Sequence, residues 1–343
     1  MKRGDATKFL FAAGLIGSSL AFPFPSQSTA NEVDSSQRMS QAYQKAWLLV
    51  RDNYFPPVDR RQWQHWQHAF DGQLHNRQQL FRAISTMMSA LNDDYSYLMT
   101  QRNKQEHRRL VHDRHSVRAN MLSDCTGYIS LSSFESNDMV EQFRQAMETL
   151  SGAQAFILDL RNNHGGYIEN ARGIFAMLTI SGEFMSYEGL SNGQRDAHHL
   201  KLRPSAWEVS DNGRVRLQPR DANLAADKPL VILVNHDTRS AAELLAGALR
   251  ESGRAMLIGD TTFGKGVLQD TFSVGTGINL KLVTARYYLP DGDTPQHKGL
   301  VPDVVMKNGC LTDVDNQLHE ALLFTNWAVS LRQQAHQQSM ALQ

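Results

Sequence analysis

Two short segments hold the residues whose types and spacing could do chemistry. The first, Asn235-His236-Asp237-Thr238-Arg239-Ser240-Ala241-Ala242-Glu243, follows the apolar run Pro229 to Val234 and precedes a helical pattern of Leu244, Leu245, Ala248 and Leu249. A serine at such a strand-to-helix junction lies beside the free N–H groups of a helix N-terminus. The second, Thr262-Phe263-Gly264-Lys265-Gly266-Val267-Leu268-Gln269, sets a lysine between two glycines after the apolar run Ala255 to Ile258. A hydroxyl that must lose a proton and an amine that can take it suggest a dyad, with Ser240 as nucleophile and Lys265 as general base. The amine can act only when neutral, and its unperturbed pKa is ~10.4. Bringing it near 7 requires on the order of 4 kcal/mol of selective destabilisation of the charged form, which burial can supply. Taken singly, each residue has a plainer reading. Ser240 could be an N-cap with Glu243 completing a capping box, and Lys265 a solvated turn lysine.

The oxyanion formed by such an attack needs donors. The N–H of Ala241, just after the nucleophile, is one. The other is Gly165 or Gly166, where a loop leaves the strand ending at Asp159-Leu160-Arg161 and enters a helix. Arg161 reads as an anchor for that loop rather than a catalytic group. His164 and His236, with Asp237 adjacent, pose a Ser–His–Asp alternative. His236 is so close in sequence to Ser240 that this alternative leaves the Lys265 segment unused.

These segments belong to a longer series. Gly127-Tyr128-Ile129-Ser130-Leu131-Ser132-Ser133-Phe134 comes first, then Ile157-Leu158-Asp159-Leu160-Arg161-Asn162-Asn163-His164-Gly165-Gly166, then the Ser240 segment and the Gly264-Lys265-Gly266 turn. Thr284-Ala285-Arg286-Tyr287-Tyr288 and Gly299-Leu300-Val301-Pro302-Asp303 close it. In this order the motifs resemble the catalytic domain of the C-terminal processing proteases, also called tail-specific proteases. Upstream, Leu91 to Leu98 resembles the end of that family's N-terminal helical segment.

The resemblance implies an α/β fold, the β-α-β superhelix shared with the Clp protease and crotonase group, carrying a Ser/Lys serine endopeptidase without a cofactor. It gives Gln269 the role of orienting Lys265 by an uncharged hydrogen bond. It makes Glu251, where the family often has an aspartate, a supporting polar residue, with a solvated helix end as the plainer reading. Protein or peptide substrates follow, with an adaptor protein or a homo-oligomer as partners to consider. Many relatives carry a PDZ domain before the first catalytic strand. Here about 28 residues separate Leu98 from Gly127, too few for an independently folded domain. Specificity is therefore expected from the cleft and from Met185 to Lys228. Interphotoreceptor retinoid-binding proteins are built on a similar domain, so a non-catalytic binding module is the alternative.

At 343 residues and 41% hydrophobic content, the chain can bury a substantial core. A formal net charge of zero gives no footprint for nucleic acid or anionic lipid. Lys2, Arg3 and Lys8, the apolar Phe9 to Phe22, and Ser28-Thr29-Ala30 read as a signal peptide over 1–30. Cleavage leaves no membrane span and implies export to a periplasm, the medium or, in a photosynthetic source, the thylakoid lumen. In that compartment Cys125 and Cys310 could form a disulfide or remain two thiols. His65/His68 and His112/His115 have ligand-like spacing, but no neighbouring pattern completes a metal site.

Periodicity divides the rest into a helical annex over 31–100, a connector over 101–125 and a catalytic domain over 126–310. A C-terminal helix over 311–343 follows. The annex pattern gives helices at Ser40 to Tyr54, around Trp63, Trp66 and Phe70, and from Leu80 to Leu91. From Gly127 strands and helices alternate as β-α-β crossovers. Met185 to Lys228 reads as irregular apart from a hairpin turning at Asp211-Asn212-Gly213.

Overall fold

The computed structural model describes residues 27–112, 115–225, 227–306 and 315–341. Most of the expected signal peptide, 1–26, and Cys310 lie outside these residues. Helix α1 (Gln27–Asn53) begins within the expected leader. No helix among the described residues is long and apolar enough to cross a membrane.

The annex has helices at the first and third of the positions its periodicity predicts. Helix α1 and helix α3 (Arg77–Ser89) bury Tyr43, Trp47, Val50, Leu80, Ile84 and Met87 against one another. Asn76 caps α3 by accepting from the Gln79 N–H at 3.0 Å. The Trp63 region forms a single helical turn, α2 (Arg60–Gln64), and a short 3-10 turn, so Phe70 lies beyond the helix expected there.

Strand β1 (Tyr97–Leu98) and helix α4 (Gln101–Val111) lead to β2 (Val117–Met121). The stretch expected as a connector thus contains a helix and a strand. In β2, Val117 and Ala119 pack on the core while Arg118 and Asn120 are exposed, and the strand pairs antiparallel with β3 (Thr126–Leu131).

The central unit is a six-stranded sheet in the order β13-β10-β9-β4-β3-β2. Strands β4 (Ala155–Asp159), β9 (Leu230–Val234), β10 (Met256–Gly259) and β13 (Val304–Val305) run parallel to β3. The all-apolar sequence of β9 follows from burial on both faces. Leu230, Ile232 and Val234 enter the main core, while Val231 and Leu233 meet helix α8 (Asn316–Ala341) on the other side. The crossovers are α5 (Met139–Thr149), α6 (Ile168–Leu178) and α7 (Ala241–Glu251).

A second, antiparallel sheet runs β1-β12-β5-β6-β7-β8, with β11 (Val267–Gly275) also pairing β12 (Ile278–Tyr288). The expected hairpin is present as β7 (Trp207–Asp211) and β8 (Arg214–Gln218). Before it, β5 (Gly182–Ser191) and β6 (Gln194–Leu202) occupy a stretch read from sequence as irregular. Helices α5, α6 and α7 share one core with strands of both sheets, and the annex packs on β11 and β12.

Candidate active site

Strands β4, β9 and β10 are parallel neighbours, and the Gly165-Gly166 loop, Ser240 and the Lys265 turn lie beyond their three C-terminal ends. Segments about a hundred residues apart in the chain therefore meet in one place, the usual consequence of an open parallel sheet.

Ser240 has φ +57° and ψ −121°, a backbone region that residues bearing a Cβ rarely enter. Such a conformation persists only where surrounding contacts over-determine it. Here the Arg239 N–H donates to the Asn163 carbonyl at 3.0 Å, and the Ser240 N–H to Glu243 Oε2 at 2.9 Å. The buried Tyr287 hydroxyl donates to the Ser240 carbonyl at 3.2 Å. The elbow lifts the Ser240 hydroxyl to the N-terminus of α7.

Glu243 joins the two halves of the site. Its carboxylate is wholly buried and accepts four hydrogen bonds. Oε2 takes the N–H groups of both Ser240 and Lys265, at 2.9 and 2.8 Å. Oε1 takes the Gly264 N–H at 2.7 Å and the Thr262 hydroxyl at 2.5 Å. Burial pushes this carboxyl up, and the four donors pull it the other way. From sequence alone Glu243 is only a capping residue. Its position three residues after the serine was the available signal, but not its reach across to the lysine turn.

The Lys265 ammonium donates to Gln269 Oε1 at 2.5 Å and lies 5.3 Å from the centre of the Tyr95 ring. Gln269 Nε2 in turn donates to the Tyr95 carbonyl. Burial lowers the lysine to a pKa of about 8, helped by the positive charges of Lys281 and Arg239 and opposed by Glu135 and Asp93. Gly266 packs so closely that a Cβ there would meet Thr294 Oγ1 at 2.3 Å. Tyr95 gave no sign of its role in sequence, because it sits in the annex, 170 residues before the lysine.

The glycine loop completes the cleft. A Cβ on Gly165 would lie 2.7 Å from the Arg239 carbonyl oxygen and 2.9 Å from Ser240 Cβ, so its backbone lies directly against the elbow. The Gly165 N–H is engaged, donating to Asn163 Oδ1 at 2.9 Å. Phe134 pairs with the loop through the Gly165 carbonyl and the Tyr167 N–H, so the Gly166 N–H points away from Phe134. Among the described residues, neither that N–H nor the N–H of Ala241 meets a backbone acceptor. Asn163, not singled out from sequence, is wholly buried and also donates to the Leu131 carbonyl at 2.8 Å.

Other candidates lie apart. Glu251 ends α7, eleven residues from Ser240 and so about 16 Å away along the helix, and pairs with its neighbour Arg250 at 3.0 Å. His236 is largely exposed and meets Asp237 Oδ2 at 3.3 Å. His164 is exposed, with its pKa lowered by partial desolvation and by Arg239. Cys125 lies with its Sγ 3.5 Å from Asn326 Oδ1. Arg161 chelates Asp159 and reaches Asp315, in keeping with an anchor.

A parallel sheet with a strained serine elbow and a half-buried lysine at its C-terminal edge defines a class, and the model of peptidase family S41 matches residues 125–306. The chain belongs to that family. Among curated relatives, it is 32% identical over 218 residues to the carboxyl-terminal-processing protease of Picosynechococcus, covering 61% of this chain and 48% of that protein. It is 33% identical over 191 residues to the carboxy-terminal processing protease CtpA of Bacillus subtilis, covering 55% and 36%. The chain thus spans about half the length of these relatives or less. Among solved structures, the photosystem II D1 C-terminal processing protease superposes with a TM-score of 0.58 at 19% identity, over 81% of this chain and 96% of that one. A lipoprotein from Streptococcus agalactiae superposes with 0.60 at 18%, over 90% and 99%. The Clp/crotonase-like α/β fold expected from sequence is the fold observed.

Proposed function

We propose that this chain is an exported serine endopeptidase of the C-terminal processing type. Ser240 attacks the peptide carbonyl while neutral Lys265 takes its proton. The Gly166 and Ala241 N–H groups receive the oxyanion. Lys265 then protonates the leaving amine, and water repeats the sequence on the acyl-enzyme. Gln269 and Tyr95 hold the amine without adding a negative charge that would raise its pKa. The observation that carries this reading is the convergence of the Ser240 and Lys265 N–H groups on one carboxylate oxygen of Glu243. It ties a strained nucleophile to a lysine already lowered to about 8.

Selection without a PDZ groove belongs to the same proposal. Between Leu98 and Thr126 the described residues form α4 and β2, and β2 is part of the parallel-strand sheet. The test compares C-termini across the exported proteome of cells carrying wild-type or Ser240→Ala protein, together with cleavage of peptides by the purified chain. Ser240→Ala and Lys265→Ala should each abolish cleavage while leaving the fold intact. Wild-type turnover in either variant, or a folded His164→Ala as inactive as Lys265→Ala, would overturn the dyad.

A further inference from the structure

The residue before the nucleophile is a cation that takes no part in the proton transfer itself, beyond helping to lower Lys265. Arg239 stacks its guanidinium 4.3 Å over the ring of Phe263, an aromatic residue left substantially exposed two positions before Lys265. Stacking fixes the plane of the guanidinium and leaves its edge to make hydrogen bonds. That edge is under-used. Nη2 donates to Asp237 Oδ1 at 2.9 Å, while Nε is buried and meets no acceptor among the described residues. Buried polar groups are normally paired. The charge of Arg239 is felt by His164, Lys265 and Tyr95, which brackets it between the glycine loop, the lysine and the annex wall of the cleft. Asp237, its present partner, also faces His236 at 3.3 Å and so has another partner to turn to.

We infer that Arg239, on its Phe263 platform, is a specificity residue that binds a substrate carboxylate close to the scissile bond. An arginine fork matches a carboxylate in two parallel hydrogen bonds. The carboxylate can be an Asp or Glu side chain, or the free α-carboxylate of a chain cut near its end. The second source would favour C-terminal trimming. The inference rests on the protease reading for its meaning, but not for its measurement.

The test uses one peptide in three forms: neutral with an amidated end, neutral with a free end near the cut, and amidated with Glu beside the cut. Binding to Ser240→Ala, followed by fluorescence anisotropy, needs no turnover. One or both carboxylate forms should bind more tightly than the neutral amide, and the form that gains identifies the source. Adding Arg239→Ala to Ser240→Ala should reduce that preference by about 10–100-fold, the usual worth of a hydrogen bond to a charged group. Arg239→Lys should restore part of it. In the active enzyme the loss should appear as a raised KM for the preferred form, with the pH dependence of kcat moved upward because one of the charges that lowers Lys265 is gone. Equal binding of all three peptides, or a preference that survives Arg239→Ala, would overturn the inference. Failure of the wild-type chain to cleave any peptide, with the binding preference intact, would instead overturn the protease reading.

Discussion

At the scale of single residues, Lys265 carries a measurable conflict between stability and function. Burial holds its pKa at about 8 against an ordinary 10.5, so the folded state takes up this proton less readily than the unfolded chain. Stability from this group is therefore complete above about 10.5 and is lost as pH falls through about 8. The difference is worth ~3 kcal/mol at neutral pH. Lys265→Met should then be more stable than wild type at pH 7, by up to about 3 kcal/mol less whatever the Gln269 contact contributes. The gain should shrink as pH rises from 8 towards 10.5, and urea denaturation at several pH values measures it. A gain that does not vary with pH would mean that the lysine is not held against its charged form. Catalysis should follow the same titration with the opposite consequence. In wild type, kcat/KM should rise with pH through an apparent pKa near 8, because only the neutral amine accepts the serine proton.

At the scale of elements, the site depends on how closely two loops approach. Gly165 has φ +84°, and any side chain there would press on the Arg239 carbonyl and on Ser240 Cβ. Gly165→Ala should leave secondary structure in place but displace the elbow. A displacement near 1 Å can cost on the order of 10²-fold in rate. Circular dichroism and kcat, measured on the same sample, check both parts, and full activity would show that the loop can yield. Elements like these were readable in sequence to different degrees. The strand before Ser240, the strand ending at Asp159 and the glycine loop announce themselves by apolar runs and turn residues, because they are buried on both faces. Strands β5 and β6 do not, because polar groups hold part of their pairing. His198 lies 2.8 Å from Asp196 and stacks on Tyr187 with ring centres 4.4 Å apart. No alternation of apolar residues advertises such a row. Tyr95, Asn163 and the cross-link made by Glu243 were hidden for another reason: each acts through contacts between segments far apart in the chain, which local periodicity does not encode.

At the scale of the whole molecule, the Gly165-Gly166 loop is anchored to the last helix. Asp159, at the end of β4, accepts from the Tyr128 hydroxyl at 2.7 Å and from Arg161 Nη2 at 2.6 Å. The same guanidinium reaches Asp315 at 2.7 Å and Gln317 at 3.1 Å, at the start of α8. Helix α8 in turn covers the outer face of the parallel sheet through Leu318, Ala321 and Leu322, against Ile157, Val231 and Leu233. Arg161 and Asp159 are both largely buried, with side-chain exposures of 13% and 7%. Removing one partner of a buried pair leaves the other charge uncompensated, at a cost of about 3–5 kcal/mol. Arg161→Met should therefore lower stability by roughly that amount. The double variant Asp159→Asn with Arg161→Met should recover part of the loss, since it removes the stranded charge as well. Urea denaturation of the two variants and wild type measures both effects. If Arg161→Met instead kept wild-type stability and lost only turnover, the arginine would belong to the chemistry and not to the anchor.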